Sequence, residues 1–140
     1  MATRQKTRSV LVIEDEAEIR NFAFRVLELE GYHVLKAGNG NDGLKMVKSS
    51  REIAMVLLDL RLPGRDGWGV LQEMKKDPKL SGIPVVVFSA LAAAWQKKKA
   101  LTMGAAGYLT KPVDAASLKK AVSATIHQKG AISACHPGNH

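Results

Sequence analysis

Ile53-Ala54-Met55-Val56-Leu57-Leu58-Asp59-Leu60-Arg61-Leu62-Pro63-Gly64-Arg65-Asp66-Gly67 is the stretch that decides the fold. Its opening apolar run shows no polar alternation, the pattern of a strand buried on both faces, as in a parallel sheet covered by helices. The run ends in a carboxylate, Asp59, and the Pro-Gly pair beyond it turns the chain. An ionisable group at the mouth of a buried strand is placed for chemistry. The arrangement recurs: Val10-Leu11-Val12-Ile13 delivers Glu14 and Asp15, Val85-Val86-Val87-Phe88 delivers Ser89, and Ala106-Gly107-Tyr108-Leu109-Thr110 delivers Lys111 before Pro112.

Between these runs the apolar spacing turns helical. Strands are expected over about 9–14, 32–37, 53–59, 83–89 and 105–110, and helices over about 17–30, 41–49, 68–77, 92–102 and from 115 onward. Ile19, Phe22, Ala23 and Val26 mark the first helix and Gly31 its stop, while Val70, Leu71 and Met74 mark the third, which ends before Pro78. The fourth, rich in alanine and lysine, has only a weak apolar stripe. Asp114 is placed to cap the fifth, whose inward side reads as Leu118, Ala121, Val122 and Thr125. Five strand–helix repeats predict an α/β fold, a parallel sheet with helices on both faces. Right-handed crossovers then bring every strand's carboxyl end to one edge. In such sheets the ligand site lies beyond that edge. Glu14, Asp15, Asp59, Ser89 and Lys111 all belong there.

At 140 residues and 46% apolar content the chain is sized for one domain with one core. The expected organisation is a basic N-terminal tail over 1–8, a domain over 9–128 and a C-terminal tail over 129–140. No apolar stretch approaches the roughly 20 residues of a transmembrane helix, and no signal peptide is visible, so a cytoplasmic protein without a membrane partner is expected. A lone cysteine, Cys135, suits a reducing compartment. The formal charge of +8 is unevenly spread. Arg4, Lys6 and Arg8 crowd the leading tail, and residues 90–140 hold seven lysines against Asp114 alone, whereas the acidic cluster lies in a nearly neutral middle. Without an interleaved aromatic platform, this is a solvated lysine face and not a nucleic-acid site. His127, Cys135, His136 and His140 lack regular metal-ligand spacing. Trp68 and Trp95 read as packing or surface residues.

Three carboxylates brought together repel, so one keeps a proton or a cation binds among them. All-oxygen ligands suit Mg2+, which accepts one or two carboxylates and phosphate oxygens while keeping waters. Lys111 then offers a point charge and Ser89 a hydroxyl to phosphoryl oxygens. Asp59 is the candidate nucleophile, because carboxylates form acyl phosphates. Each residue also has an ordinary structural reading. Glu14 and Asp15 could be helix N-terminal charges, Ser89 a cap, Asp59 a turn residue and Lys111 a surface lysine. Five such coincidences on one sheet edge favour the chemical reading.

On these residues the chain resembles the receiver domain of two-component response regulators, over about 8–128. The motifs are Val10-Leu11-Val12-Ile13-Glu14-Asp15-Glu16, Val56-Leu57-Leu58-Asp59 through Gly67, Ile83 through Ala90, and Gly104 through Pro112. The resemblance implies a flavodoxin-like doubly wound (βα)5 fold with strand order 2-1-3-4-5. It implies that Asp59 accepts a phosphoryl group from a sensor histidine kinase or a histidine phosphotransfer protein. It implies direct Mg2+ contacts from Asp15, Asp59 and the backbone carbonyl of Arg61, with Glu14 acting through water. Lys111 pairs with phosphoryl oxygens, Ser89 turns toward them and Tyr108 follows as the switch aromatic. Ala90 leaves room for the group, and Lys111-Pro112 is expected to be cis. Leu62 replaces the methionine common before the proline. Arg61 and Leu91 stand where the family tunes hydrolysis, and a long cation with an apolar side chain there predicts a long-lived phosphoaspartate.

The sequence stops shortly after the receiver pattern, which is read as a receiver acting through protein contacts, or as a piece of a longer regulator or hybrid kinase. Lys97, Lys98 and Lys99 on the fourth helix and Lys119 and Lys120 on the fifth mark the expected output face, for an acidic downstream protein or for homodimerisation. Two other functions are weaker: nucleic-acid binding through the basic tail, which lacks a recognition motif, and phosphatase turnover, which needs an acid/base aspartate where Arg61 stands.

Overall fold

The structure, a computed structural model, describes residues 8–50 and 52–135, with side chains described as far as residue 127. Five strands alternate with five helices: β1 (Ser9–Ile13), α1 (Ala17–Leu29), β2 (His33–Ala37), α2 (Gly40–Ser49), β3 (Ile53–Leu58), α3 (Gly67–Lys76), β4 (Val85–Ser89), α4 (Ala94–Thr102), β5 (Gly107–Thr110) and α5 (Ala115–Cys135). All neighbouring strands pair in parallel, in the order β2-β1-β3-β4-β5. The flavodoxin-like doubly wound fold is therefore confirmed.

Strand alternation divides the apolar runs between two cores. Leu11, Ile13, Val56, Leu58, Val85 and Val87 face α2 and α3 residues such as Leu44, Val47, Val70, Leu71 and Met74. Val10, Val12, Met55, Leu57, Val86 and Phe88 face Ala23 and Leu27 of α1 and Leu118, Val122 and Ile126 of α5. Burial on both sides explains why these strands carry no polar alternation. Each fully buried Leu, Val or Phe contributes about 1.5–3 kcal/mol.

Several sequence expectations shift at element ends. β1 and β3 stop at Ile13 and Leu58, one residue before Glu14 and Asp59, so the carboxylates lie just outside the strands. On α1 the fully buried positions are Ala23 and Leu27, with Ile19, Phe22 and Val26 half-buried. On α5 Ile126, not Thr125, completes the buried row. Asp114 does cap that helix, accepting from the Ser117 amide at 2.7 Å. The backbone of α5 remains helical to Cys135, past residue 128. Arg4, Lys6, His136 and His140 lie outside the described residues. Among the described residues no helix is long and apolar enough to cross a membrane.

Candidate functional site

The parallel ladder carries the acidic groups together. Val10–Ile13 register with Met55–Leu58, and the pairing runs one step further, the Asp59 amide donating to the Ile13 carbonyl at 3.0 Å. On the other side the Glu14 amide donates to the Ala37 carbonyl at 3.0 Å. Across the sheet, the Lys111 amide donates to the Ser89 carbonyl at 2.9 Å, which brings the end of β5 to the end of β4. Glu14 is fully buried, Asp59 nearly so at 4% exposure, and Asp15 is exposed. One carboxylate oxygen from each of the three lies within 4.8 Å of the others.

Lys111 is the counter-charge. Its ammonium donates to Glu14 Oε1 at 2.5 Å and to Asp59 Oδ2 at 3.1 Å. Burial alone would lower its pKa, but the hydrogen bond to Glu14 and the charges of Asp59 and Glu14 prevail and hold it above the ordinary lysine value. Burial pushes the Glu14 carboxyl up, against the hydrogen bonds from Lys111 and the Glu16 amide. The second Asp59 oxygen, Oδ1, accepts from the Arg61 amide at 3.1 Å.

These groups open onto a cleft of about 730 Å³ lined by Asp15, Asp59, Arg61, Trp68, Leu91 and Lys111. Ala90 also lines it, leaving space beside Asp59. Ser89 does not. It is fully buried, and its hydroxyl accepts from the Leu91 amide at 3.3 Å. Tyr108 is half-buried and donates its hydroxyl to the Leu91 carbonyl at 2.5 Å. Burial pushes the Tyr108 pKa up, against a hydrogen bond with Ser89 that lowers it. Lys111-Pro112 is cis, as expected.

Three features of the site had no readable signal. Arg20 clamps the acidic loop from α1, donating to the carbonyls of Glu14 at 2.9 Å and Asp15 at 3.3 Å. Gly67 packs so tightly that a Cβ there would lie 2.2 Å from the Asp59 carbonyl oxygen. Trp68, read as a packing residue, also lines the cleft, and Lys99 sits over its ring at 4.5 Å. The lysines divide: Lys97, Lys98 and Lys120 are exposed, while Lys119 lies 3.7 Å from Glu30, the residue that follows α1.

The fold and its acidic edge define a doubly wound, receiver-type domain. The chain belongs to the response regulator receiver domain family, whose sequence model matches residues 10–123. It is 32% identical over 117 residues to Protein PilH of Pseudomonas aeruginosa, an alignment covering 84% of this chain and 96% of PilH. It is 33% identical over 119 residues to the probable transcriptional regulator ycf27 of Porphyridium aerugineum, covering 85% of this chain and 48% of that protein. The chain thus spans about half the length of the ycf27 regulators it matches. A receiver domain from Clostridium thermocellum superposes with a TM-score of 0.80 at 29% identity, covering 89% of this chain and 98% of that one. A CheY-like receiver from Methanospirillum hungatei reaches 0.83 at 23% identity, covering 90% of this chain and 98% of that one, a likeness of fold.

Membership makes this chain a signalling domain of two-component systems, of the kind served by histidine kinases or phosphotransfer proteins. Receivers bind Mg2+ at an acidic pocket, and Glu14, Asp15 and Asp59 form one here. The donor set fits a hard divalent cation, being all oxygen and drawn from three carboxylates that converge at one point.

Proposed function

We propose that Asp59 is the phosphoacceptor, taking its group from a phosphohistidine on a sensor kinase or phosphotransfer protein in the cytoplasm. The observation that carries this reading is Lys111, whose ammonium reaches the Asp59 carboxylate and the buried Glu14 at once. Asp59 Oδ1 is steadied by the Arg61 amide, and its carboxylate attacks phosphorus as the phosphorus–nitrogen bond to histidine breaks. Lys111 then exchanges carboxylate oxygens for phosphoryl oxygens, neutralising charge on the transferred group. Asp15, Asp59 and the Arg61 carbonyl would hold Mg2+, with Glu14 acting through water. Mg2+, when bound, offsets charge on the phosphoryl oxygens.

Ser89 and Tyr108 form the switch. Both meet the backbone of Leu91, so rotation of Ser89 toward the phosphoryl group removes a bond from the segment that Tyr108 also holds. The output face would be Lys97, Lys98 and Lys99 with Lys119 and Lys120, offered to an acidic protein or to a second copy of the chain. Association by this face should weaken with salt and with charge reversal at Lys97–Lys99.

The test is incubation with Mg2+ and acetyl phosphate, read by intact mass. The wild type is expected to gain one hydroxylamine-labile phosphoryl group and Asp59→Asn none. An equal adduct in Asp59→Asn would refute the assignment.

A further inference from the structure

The contact between Trp68 and Lys99 has no part in the phosphoacceptor reading, yet it joins the cleft to α4. Trp68 is the second residue of α3, and that helix starts fixed against the acceptor, with Gly67 on the Asp59 carbonyl and its amide donating to the Leu60 carbonyl at 3.0 Å. The indole therefore projects from backbone packed directly against Asp59 and Leu60. It lines the cleft beside Leu91 and packs against the core. Lys99 is exposed on α4, and its ammonium lies 4.5 Å from the indole centroid, inside the reach of about 6 Å for a cation–π contact. Of the nine residues of α4 only Ala100 is buried. On so lightly buried a helix, the Lys99–Trp68 contact ties α4 to a residue that lines the cleft.

We propose that Trp68 is a positioning residue for the phosphorylated site. Held by Lys99, its ring and Leu91 form an apolar wall that restricts water at the phosphoaspartate, and Lys99 makes that shielding depend on where α4 sits. The step affected is hydrolysis. Water attacks phosphorus, the bond from phosphorus to the Asp59 oxygen breaks, and carboxylate, inorganic phosphate and the proton shed by the water are released. Coupling of this kind is reciprocal. A partner that draws Lys99 from the ring shortens the lifetime of the phosphoryl group, and the phosphorylated cleft in turn alters how freely Lys99 is offered.

The inference rests on Asp59 being the acceptor, and the experiment separates the two. The full chain is phosphorylated with acetyl phosphate and Mg2+, the donor is removed, and decay is followed by intact mass in wild type, Trp68→Leu, Lys99→Met, the double variant and Lys99→Arg. Each of the first two should shorten the lifetime by about two- to fivefold, the span of an exposed cation–π contact. The double variant should decay no faster than the quicker single, because the pair acts as a unit. Lys99→Arg should keep the wild-type lifetime, since a guanidinium also stacks on an indole. Lys99 is exposed, so Lys99→Met reports without the repacking that Trp68→Leu brings. In Trp95→Phe, with Trp68 the only indole, emission should shift on phosphorylation and Lys99→Met should abolish the shift. Normal adducts with unchanged decay in Lys99→Met, additive losses, or failure of Lys99→Arg to rescue would overturn this inference alone. Absence of any adduct in the wild type would defeat the acceptor assignment and this inference with it.

Discussion

Helix α3 borders the Asp59 cleft through Trp68, whereas α4 follows the Ala90–Leu91 segment that lines it, and the two helices are attached in different ways. α3 buries Val70, Leu71 and Met74, and Asp66 caps it by accepting from the Gly69 amide at 2.9 Å. Gly67 lets its first turn lie against the backbone of Asp59 and Leu60. α4 buries only Ala100, leaves Trp95 and Leu101 on the surface, and has at its N-cap Ala93, which has no side chain able to cap. The Asp59 side of the site is built to hold a geometry. The side that leads from Ser89 and Leu91 into α4 is more lightly packed, as the proposed switch would require. A signalling domain needs both, because elements that move are drawn from the least stable part of a fold.

The sharpest way to break this comparison is to truncate one leucine on each helix. Leu71→Ala should cost about 3–4 kcal/mol, as a fully buried leucine leaving a cavity. Leu101→Ala, half exposed, should stay within about 0.5 kcal/mol of wild type. Urea unfolding of the two variants measures both, and similar losses would mean that α4 is as firmly packed as α3.

Lys111→Met tests the floor of the cleft. Removing one partner of a buried charge pair costs about 3 kcal/mol, and here the loss should depend on pH. The Glu14 pKa is already raised in the folded state by burial, and without Lys111 it rises further. Over the window from 4.5 up to that raised value the folded variant binds the extra proton, so its stability increases as pH falls. The deficit should be largest at neutral pH and shrink in acid. Lys111, raised by its partners, stabilises the wild type fully below 10.5, and that contribution disappears as pH climbs through the folded value. A deficit constant from neutral pH down to 4.5 would mean that Glu14 is not the group left stranded.

Gly67→Ala should come next in size, at about 2 kcal/mol. The new methyl meets backbone at Asp59 and Leu60, which cannot yield as a side chain tip can. Because the displaced atoms carry Asp59, the proposed acceptor, phosphorylation from acetyl phosphate should slow along with the loss of stability. Stability lost without slower phosphorylation would show that α3 does not set the position of Asp59.

The firm side of the molecule was also the readable one. Continuous runs such as Val56-Leu57-Leu58 announce strands buried on both faces, and the groups at their ends, Glu14, Asp59 and Lys111, meet because parallel register allows nothing else. The strand order was legible only through the family resemblance, since apolar runs specify burial and not neighbours. Helix boundaries slipped where no cap marks them, as at α4, which begins at Ala94 and not Ala92. Arg20, Gly67 and the Lys99–Trp68 contact went unread for one reason. Each acts on a partner fixed by the tertiary fold, the backbone of a loop, the back of a strand end or the ring of another helix, and no periodicity encodes such a meeting.

The smallest expected effect is the most direct probe of α4. The Gln96 side chain accepts from the Ala93 amide at 3.2 Å, which is one half of a capping box. Ala93 has extended backbone, φ −67° and ψ 144°, the conformation an N-cap residue needs, but it offers no oxygen to the first turn. Ala93→Ser supplies that oxygen and should stabilise the chain by about 0.5–1 kcal/mol. If α4 is loosely held so that it can respond to Asp59, the added stability should fall on local opening, and slower hydrogen exchange should be confined to the first turns of α4. Protection that instead rose equally in α3 and the sheet would show that α4 opens only with the whole molecule. The contrast between the two helices would then have no dynamic consequence.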